Sequence, residues 1–316
     1  MGFTMLEEDQ VSEKPTIRPR PGVEFAPKFI CVGSQKAGTE WLYTQFAGHR
    51  EFWGAPIKEI SYFNRAYGAP RIAMARRKIR WMIRDHNKGI SDFTHEISFL
   101  MRMLRGPSPQ PDGPLHPYFA LFQNRPGFGF DCTPGYGPNS ERVVSHMMTE
   151  MPNTKFLLLV RDPADRIWSQ RLMHERLKWT MDVAFEDHDL EGAKKFAAHR
   201  SVHKLSFVSD HIRTYTKHAG PDQFRVYTFD QLKNNADWLR EDVALFVGAD
   251  PQAFEIEANY NRKAAQTGKR KMPEHIRLWA AEYFAKEYQD LAELVGGVAV
   301  EWRDKNSKIL KTGVVT

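Results

Sequence analysis

The sequence FICVGSQKAGTEWLY, residues 29–43, is the most informative stretch of this chain. Its first four residues are an apolar run that stops at Gly33, which is typical of a buried parallel strand. A loop of small residues follows, and from Glu40 onward apolar residues recur at helical spacing. A strand, a glycine-bearing loop and a helix N-terminus form an anion site, because free backbone N–H groups and the positive end of the helix dipole point at one place. Lys36 adds a full positive charge there.

The spacing of this loop limits which anion it suits. In ATPases and GTPases the loop lysine stands directly before a Ser or Thr, whereas here Lys36 precedes Thr39 by three residues. A different phosphate ester is therefore indicated. The alternative is an ordinary strand-to-helix turn whose lysine is only solvated.

A second turn from strand to helix occurs in the middle of the chain. Residues 154–160 form a buried strand pattern, and Asp162 and Pro163 then supply a favoured N-cap and first helical residue. Arg161 is thereby placed at the carboxyl end of a strand, where open parallel sheets bind ligands. Ser169, about two helical turns on, shares an anion with Arg161 only if the ligand lies along the helix flank. Alternatively, Arg161 pairs with a neighbouring carboxylate.

The composition narrows the class of protein. With 316 residues, 41% of them hydrophobic, the chain suits one large α/β domain or two small ones. It contains no apolar run near the roughly 18 residues of a spanning helix and no signal-peptide pattern, so we expect a soluble cytoplasmic protein without a membrane span. The net charge of +6 favours anionic ligands, among which nucleic acid, acidic glycans and nucleotide phosphates remain open.

Cysteine and histidine usage argues against disulfides and metal. Cys31 and Cys132 are the only cysteines, and each ends an apolar segment, so we expect two buried free thiols. The 12 histidines are scattered, and no His/Cys cluster has metal-ligand spacing. We predict no metal site.

The pattern of elements predicts a three-layer α/β fold, with a central parallel sheet and helices on both faces. Residues 1–27 are expected to be an N-terminal arm, 28–300 a single domain with a largely helical insertion at 66–127 that shapes the acceptor pocket, and 301–316 a C-terminal tail. Further strands are predicted at 57–63, 128–131 and 224–229. Further helices are predicted at 71–84, 93–104, 140–151 with Asn139 as N-cap, 230–246 and 273–295, with a basic loop at 259–272.

Two features between the strands have open interpretations. Glu59 is a carboxylate among apolar neighbours, which suits a general base but equally suits a surface glutamate on an edge strand. The helix at 71–84 is basic and amphipathic, so it suits an acidic acceptor, a membrane surface or nucleic acid, or is simply a solvated face.

Several motifs then resemble one family. KAGTEWL at 36–42, KEISYF at 58–63 and LLLVRDPADRIWSQ at 157–170 resemble, in order and spacing, the sulfotransferases that use 3′-phosphoadenosine 5′-phosphosulfate. The similarity is closest to the glycan-type and bacterial branch. It extends through YTFDQL and TGKRKMPEHI to about residue 295 and fails over 66–127. The resemblance implies a P-loop NTPase-like fold and that donor as cosubstrate.

The resemblance also implies the donor site. The loop from Ser34 holds the 5′-phosphosulfate, Arg161 and Ser169 hold the 3′-phosphate, and a C-terminal loop closes over that phosphate. The implied donor-binding residues are Ser34, Gln35, Lys36, Ala37, Gly38, Thr39, Glu40, Trp41, Arg161, Ser169, Gly268, Lys269 and Arg270.

For the reaction, the resemblance implies that Glu59 removes the proton from an acceptor hydroxyl as its oxygen attacks sulfur in line with the departing phosphate. Lys36 and the loop N–H groups stabilise the charge that gathers on the leaving group, without a metal. One departure concerns Cys132, which stands where many glycan-type members have a lysine. A positive charge near the acceptor or the sulfate is missing there, and another basic residue, for example one from the insertion, is expected to replace it.

The leading hypothesis is a sulfotransferase acting on a hydroxyl or amine of a carbohydrate, lipid or small-molecule acceptor, with no nucleic-acid partner. A nucleotide-dependent kinase on the same kind of sheet is the second. The third is a non-enzymatic protein that binds acidic polymers through the basic helix.

Overall fold

The computed structural model describes residues 22–64, 69–86, 93–106, 113–177, 185–255 and 270–315. Five parallel strands form one sheet in the order β2-β3-β1-β4-β5. The strands are β1 (Phe29–Gly33), β2 (Phe52–Gly54), β3 (Phe128–Cys132), β4 (Lys155–Val160) and β5 (Phe224–Thr228). The apolar run at residue 29 is thus the central strand.

Both faces of the sheet are covered, because successive side chains of a strand point to opposite faces. Ile30 and Val32 of β1 enter one apolar core, and Phe29 and Cys31 enter the other. Strands that are buried on both faces appear in a sequence as continuous apolar runs, and for this reason β1 and β4 could be predicted. The predicted three-layer fold is confirmed.

The helices divide between these two cores. One core holds side chains of α1 (Thr39–Ala47), α10 (Phe229–Asn234) and α11 (Ala236–Val247). The larger core holds side chains of α2 (Ala69–His86), α3 (Thr94–Arg105), α4 (His116–Leu121), α5 (Glu141–Glu150), α6 (Pro163–Arg176), α7 (Leu190–Ala198), α8 (Arg200–His203), α9 (Val208–Thr216), α12 (Glu274–Tyr283), α13 (Ala285–Val295) and α14 (Val298–Thr312).

The predicted second strand is wrong. Residues 57–63 form no strand, and β2 lies earlier, at Phe52–Gly54. Glu59 and Ser61 have φ angles of 61° and 63°, which are left-handed values that an extended strand does not allow. The segment is apolar because its side chains are buried, not because it pairs in the sheet.

Other element boundaries also differ. The N-cap of α5 is Ser140 instead of Asn139, and the helix predicted at 230–246 is interrupted at Asn235, which caps α11 by accepting a hydrogen bond from the backbone N–H of Trp238. The helix predicted at 273–295 is likewise two helices that meet at Phe284. Residues 301–312, assigned to a tail, belong to α14. The domain limits themselves stay predictions.

Part of the predictions lies outside the described residues, namely 1–21 of the N-terminal arm, 66–68, 87–92 and 107–112 of the insertion, and 259–269 of the basic loop. The insertion contains α2, α3 and α4, as a largely helical segment should. Cys31 and Cys132 are buried free thiols, as predicted. Among the helices of the described ranges, none is long and apolar enough to cross a membrane.

Candidate active site

A cavity of about 350 Å³ opens at the carboxyl ends of β1 and β4, where the two strand-to-helix turns meet. Its wall comes from the loop after β1, the segment before the insertion, and the helix that follows β4. The lining residues are Gln35, Lys36, Gly38, Thr39, Glu40, Trp41, Lys58, Glu59, Pro134, Arg161, Ser169, Met173, Arg176 and Phe229.

The loop after β1 is fixed to the neighbouring strand. The backbone N–H and the hydroxyl of Ser34 both donate to the carbonyl of Leu159, at 2.6 and 2.9 Å. The chain then turns through left-handed φ angles at Lys36 (73°) and Gly38 (100°) into α1. Within the described chain, the backbone N–H groups of Lys36, Gly38, Thr39 and Glu40 donate to no protein acceptor. They remain available to an anion.

We expect replacement of Gly38 with alanine to destabilise this loop by about 1–3 kcal/mol. Its φ of 100° is strained for any L side chain, and an added Cβ would lie 2.8 Å from Cδ2 of Leu232. Gly220→Ala is the matched control, because a Cβ there meets nothing within 4 Å and its φ is not positive. Urea unfolding of both variants tests this, and equal midpoints would contradict it.

Positive charge is concentrated in the cavity. Burial, followed by the charges of Arg176 and Arg161, lowers the pKa of Lys36 to about 8. Such mutual repulsion raises the free energy of the empty site, and an anion relieves it. Gln35 contributes a polar atom without a partner, because its buried Oε1 accepts no hydrogen bond from the described residues.

Arg161 and Lys36 belong to the same site. An Nη atom of Arg161 donates to the carbonyl oxygen of Lys36 at 3.2 Å, and its guanidinium lies 4.6 Å from the ring centre of Phe229. Asp162 caps α6 as predicted, accepting a hydrogen bond from the backbone N–H of Asp165 at 2.9 Å. Ser169 faces the same cavity two turns along the helix.

The carboxylates beside Arg161 are engaged elsewhere. Arg277 of α12 pairs with both Asp162 and Asp165, and the hydroxyl of Tyr288 donates to Asp162 at 3.0 Å. Among the described residues, Arg161 forms no ion pair with a carboxylate. Arg161 is therefore not simply the partner of a neighbouring carboxylate, and its charge faces the cavity.

Glu59 and Lys36 both line the cavity, and both are non-glycine residues with positive φ. Strained backbone of this kind persists only where surrounding structure enforces it, and it is concentrated at functional sites. The ammonium of Lys58 lies 3.0 Å from Glu40 and 3.7 Å from Glu59. Burial alone would lower the pKa of Lys58, but the two carboxylates raise it instead.

A buried hydrogen-bond network holds the segment that carries Glu59. The carboxylate of Asp131 accepts hydrogen bonds from the hydroxyls of Tyr118, Thr133 and Tyr136, at 3.0, 2.7 and 2.9 Å. Two of these oxygens in turn accept the backbone N–H groups of Ser61 and Tyr62. Burial raises the pKa of Asp131 to about 6. The network explains how a left-handed residue is kept at position 59.

Cys132 does not face the cavity, because it is buried against Cys31. The cation on this side of the site is Lys58, whose charge acts on the Cys132 thiol. It precedes the insertion in sequence. None of the cavity-lining residues comes from the described parts of 66–127. The insertion contacts the segment before Lys58 through Lys78, whose ammonium donates to the carbonyl of Pro56, and it contacts Asp131 through Tyr118.

The predicted site residues separate into groups. Gln35, Lys36, Gly38, Thr39, Glu40, Trp41, Glu59, Arg161 and Ser169 line the cavity together. Ser34 and Ala37 are buried behind it and shape the loop. Arg270 does not reach it, because its guanidinium pairs with Glu175 and Asp187. Gly268 and Lys269 lie outside the described residues.

The sequence interpretation missed Lys58, Pro134, Met173, Arg176 and Phe229, which also line the cavity. The helical spacing of the sequence could have identified two of them, Met173 and Arg176. Positions 169, 173 and 176 share one face of a helix, so placing Ser169 at a ligand places Met173 and Arg176 beside it.

The parallel sheet and its cationic strand-to-helix turns define a P-loop-like α/β enzyme fold. Residues 26–272 match the family described as the sulfotransferase domain. The chain therefore belongs to the sulfotransferases, and it is an enzyme that transfers sulfonate groups. No sequence among the curated proteins matches it significantly.

One of two similar solved structures supports the fold. A sulfotransferase from Alicyclobacillus acidocaldarius superposes with a TM-score of 0.59 at 17% identity, covering 88% of this chain and 99% of that one. The sulfotransferase domain of the curacin biosynthetic pathway gives a TM-score of 0.47 at 14% identity, covering 77% of this chain and 79% of its own. At these identities, the similarity concerns the fold alone.

Proposed function

We propose that this sulfotransferase takes its sulfuryl group from 3′-phosphoadenosine 5′-phosphosulfate and passes it to a hydroxyl or amine of a carbohydrate, lipid or small-molecule acceptor. One observation carries the proposal. Lys36 and Arg161, which the family resemblance assigns to opposite ends of the donor, line one cavity and lie within a hydrogen bond of each other. The cytoplasmic location expected from the sequence stays a prediction.

The residues present suit that donor. A nucleotide with two anionic ends needs two cationic positions, and Lys36 with the loop N–H groups supplies one while Arg161 with Ser169 supplies the other. The cavity volume of about 350 Å³ falls within the usual range of ligand pockets. The unpartnered Gln35 oxygen offers a further polar contact.

The donor supplies an activated sulfuryl group, and the protein positions the groups that handle charge and protons. As the acceptor oxygen forms its bond to sulfur, the bond from sulfur to the phosphate oxygen breaks and adenosine 3′,5′-bisphosphate leaves. Glu59 accepts the proton of the acceptor, and Lys58 holds that carboxylate. Lys36 and the free N–H groups stabilise the negative charge on the leaving phosphate.

Thermal melting with three ligands tests the proposal. Adenosine 3′,5′-bisphosphate without magnesium is expected to stabilise the protein, by about 2.7 kcal/mol at a hundred times its dissociation constant. ATP with magnesium and a heparin-like polyanion serve as the comparison ligands. Stabilisation by ATP with magnesium alone would favour the kinase hypothesis, and stabilisation by the polyanion alone would favour the binding-protein hypothesis.

A further inference from the structure

The charges that line the cavity do not balance. Its wall carries the cations Lys36, Lys58, Arg161 and Arg176 and the carboxylates Glu40 and Glu59. Lys58 pairs with both carboxylates. Three cations are therefore left for ligands, while the donor ends proposed above occupy the two at Lys36 and Arg161.

Arg176 is the cation without a role in the proposed donor site. It lies in the last turn of α6 and forms no ion pair with any carboxylate of the described chain. The neighbouring Glu175 is already paired with Arg171 and Arg270. The cation that most disfavours a charged Lys36 is Arg176, so the two positive groups act on the same space.

Helix geometry separates Arg176 from the 3′-phosphate position. Arg176 is the last residue of α6 and lies seven residues beyond Ser169, whereas Arg161 precedes the helix. At a rise of about 1.5 Å per residue, Ser169 and Arg176 are about 10 Å apart along the helix axis. Arg161 and Arg176 therefore lie at opposite ends of α6, and Arg176 lies at the end away from the strand that precedes Arg161. Met173 lies between Ser169 and Arg176 on the same face of the helix and adds an apolar side chain to the cavity wall.

We propose that Arg176 and Met173 form an acceptor subsite, in which the guanidinium binds a carboxylate, phosphate or sulfate group of the acceptor. The inference rests on the proposed function, because the acceptor is the molecule whose hydroxyl reaches Glu59. A planar guanidinium binds such groups through two parallel hydrogen bonds, which gives orientation as well as affinity. The acceptor would then be an acidic molecule, held by its charged group while its hydroxyl is presented for transfer.

Matched acceptor pairs that differ only in an anionic group test this subsite. Suitable pairs are glucose with glucuronate, glucose with glucose 6-phosphate, and benzyl alcohol with 4-(hydroxymethyl)benzoate. Transfer from labelled donor and melting of the protein saturated with adenosine 3′,5′-bisphosphate are measured with each compound. We expect an anionic member to be preferred at least tenfold in kcat/KM, or to stabilise the protein where its neutral partner does not.

Three variants assign the preference to one side chain. Arg176→Gln is expected to abolish the preference by raising KM for the anionic member about tenfold, and Arg176→Lys is expected to restore part of it. Arg200→Gln is the matched control, since Arg200 is an exposed helical arginine outside the cavity. Affinity for the bisphosphate should fall far less in Arg176→Gln than in Arg161→Ala, because only the long-range attraction of one cation is lost.

The outcomes keep this inference separate from the proposed function. A loss of bisphosphate affinity in Arg176→Gln as large as that in Arg161→Ala would place Arg176 in the donor site and overturn the subsite. Equal use of neutral and anionic members, or no Arg176-dependent stabilisation by any compound of the panel, would also overturn it. In each case stabilisation of the wild-type protein by the bisphosphate would still support the donor assignment, whereas its absence would contradict the proposed function itself.

Discussion

Replacing Glu59 with glutamine is expected to reduce turnover by about a hundredfold to ten-thousandfold, the range for loss of a general base. Glutamine keeps the size of the side chain and its contact with Lys58 but accepts no proton. Because Glu59 does not hold the donor in the proposed mechanism, stabilisation by adenosine 3′,5′-bisphosphate should survive. Single-turnover transfer from labelled donor, with melting in parallel, measures both quantities.

Glu40→Gln is the informative comparison for Glu59→Gln. Both carboxylates lie against the ammonium of Lys58, and Glu40 is the nearer at 3.0 Å. The Glu40 side chain is 76% exposed, so its ion pair contributes little free energy and we expect less than a tenfold loss of transfer. Equal losses in the two variants would assign the effect to Lys58 and remove Glu59 from its role as base.

The parts of the fold that the sequence predicted are those fixed by short-range chemistry. β1 and β4 are buried on both faces and therefore appear as apolar runs. The helix after β4 begins where Asp162 and Pro163 require it to begin, since one satisfies a free N–H group and the other cannot continue a strand. Two such turns on neighbouring parallel strands place their charged residues at one edge, and the Arg161–Lys36 contact follows from that.

The segment around Glu59 was not predictable in the same way. Its apolar residues suggested a strand, but its conformation is set by hydrogen bonds that its backbone N–H groups donate to residues 133 and 136, which are more than 70 positions away. No local pattern contains that information. The acid at position 131 was visible in the sequence, yet its role as the buried acceptor that holds Thr133 and Tyr136 appears only in three dimensions.

The position of the Arg270 side chain was also not predictable from the sequence. The family resemblance assigned it to the 3′-phosphate, but its guanidinium lies against Glu175 and Asp187, and its carbonyl accepts the indole N–H of Trp168. A sequence motif states which residues are present, whereas competition among nearby charges decides which of them face a ligand. Arg161 faces the cavity because Arg277 holds the adjacent carboxylates, whereas Arg270 stays with Glu175 and Asp187 although Arg171 also pairs with both.

Arg161→Ala is expected to weaken binding of adenosine 3′,5′-bisphosphate about a hundredfold, close to 2.7 kcal/mol, because it removes a desolvated guanidinium from the proposed 3′-phosphate position. Burial lowers the pKa of Arg161, so the folded protein holds this charge at a cost that the ligand offsets. Titration calorimetry at fixed ionic strength measures the affinity.

Arg225→Ala separates this effect from a general loss of packing. Arg225 also lies over a phenylalanine ring, at 4.3 Å from the centre of Phe246, but on β5 and outside the cavity. Both variants lose a cation–π contact of about 0.5–1 kcal/mol, and only Arg161→Ala loses an anion ligand. Arg161→Ala also removes a positive charge that repels Lys36. The loss in free energy of unfolding of the ligand-free protein should therefore be smaller than the loss in free energy of binding for the bisphosphate. Equal bisphosphate affinity in the two variants would mean that the two strand-to-helix turns do not hold one nucleotide between them.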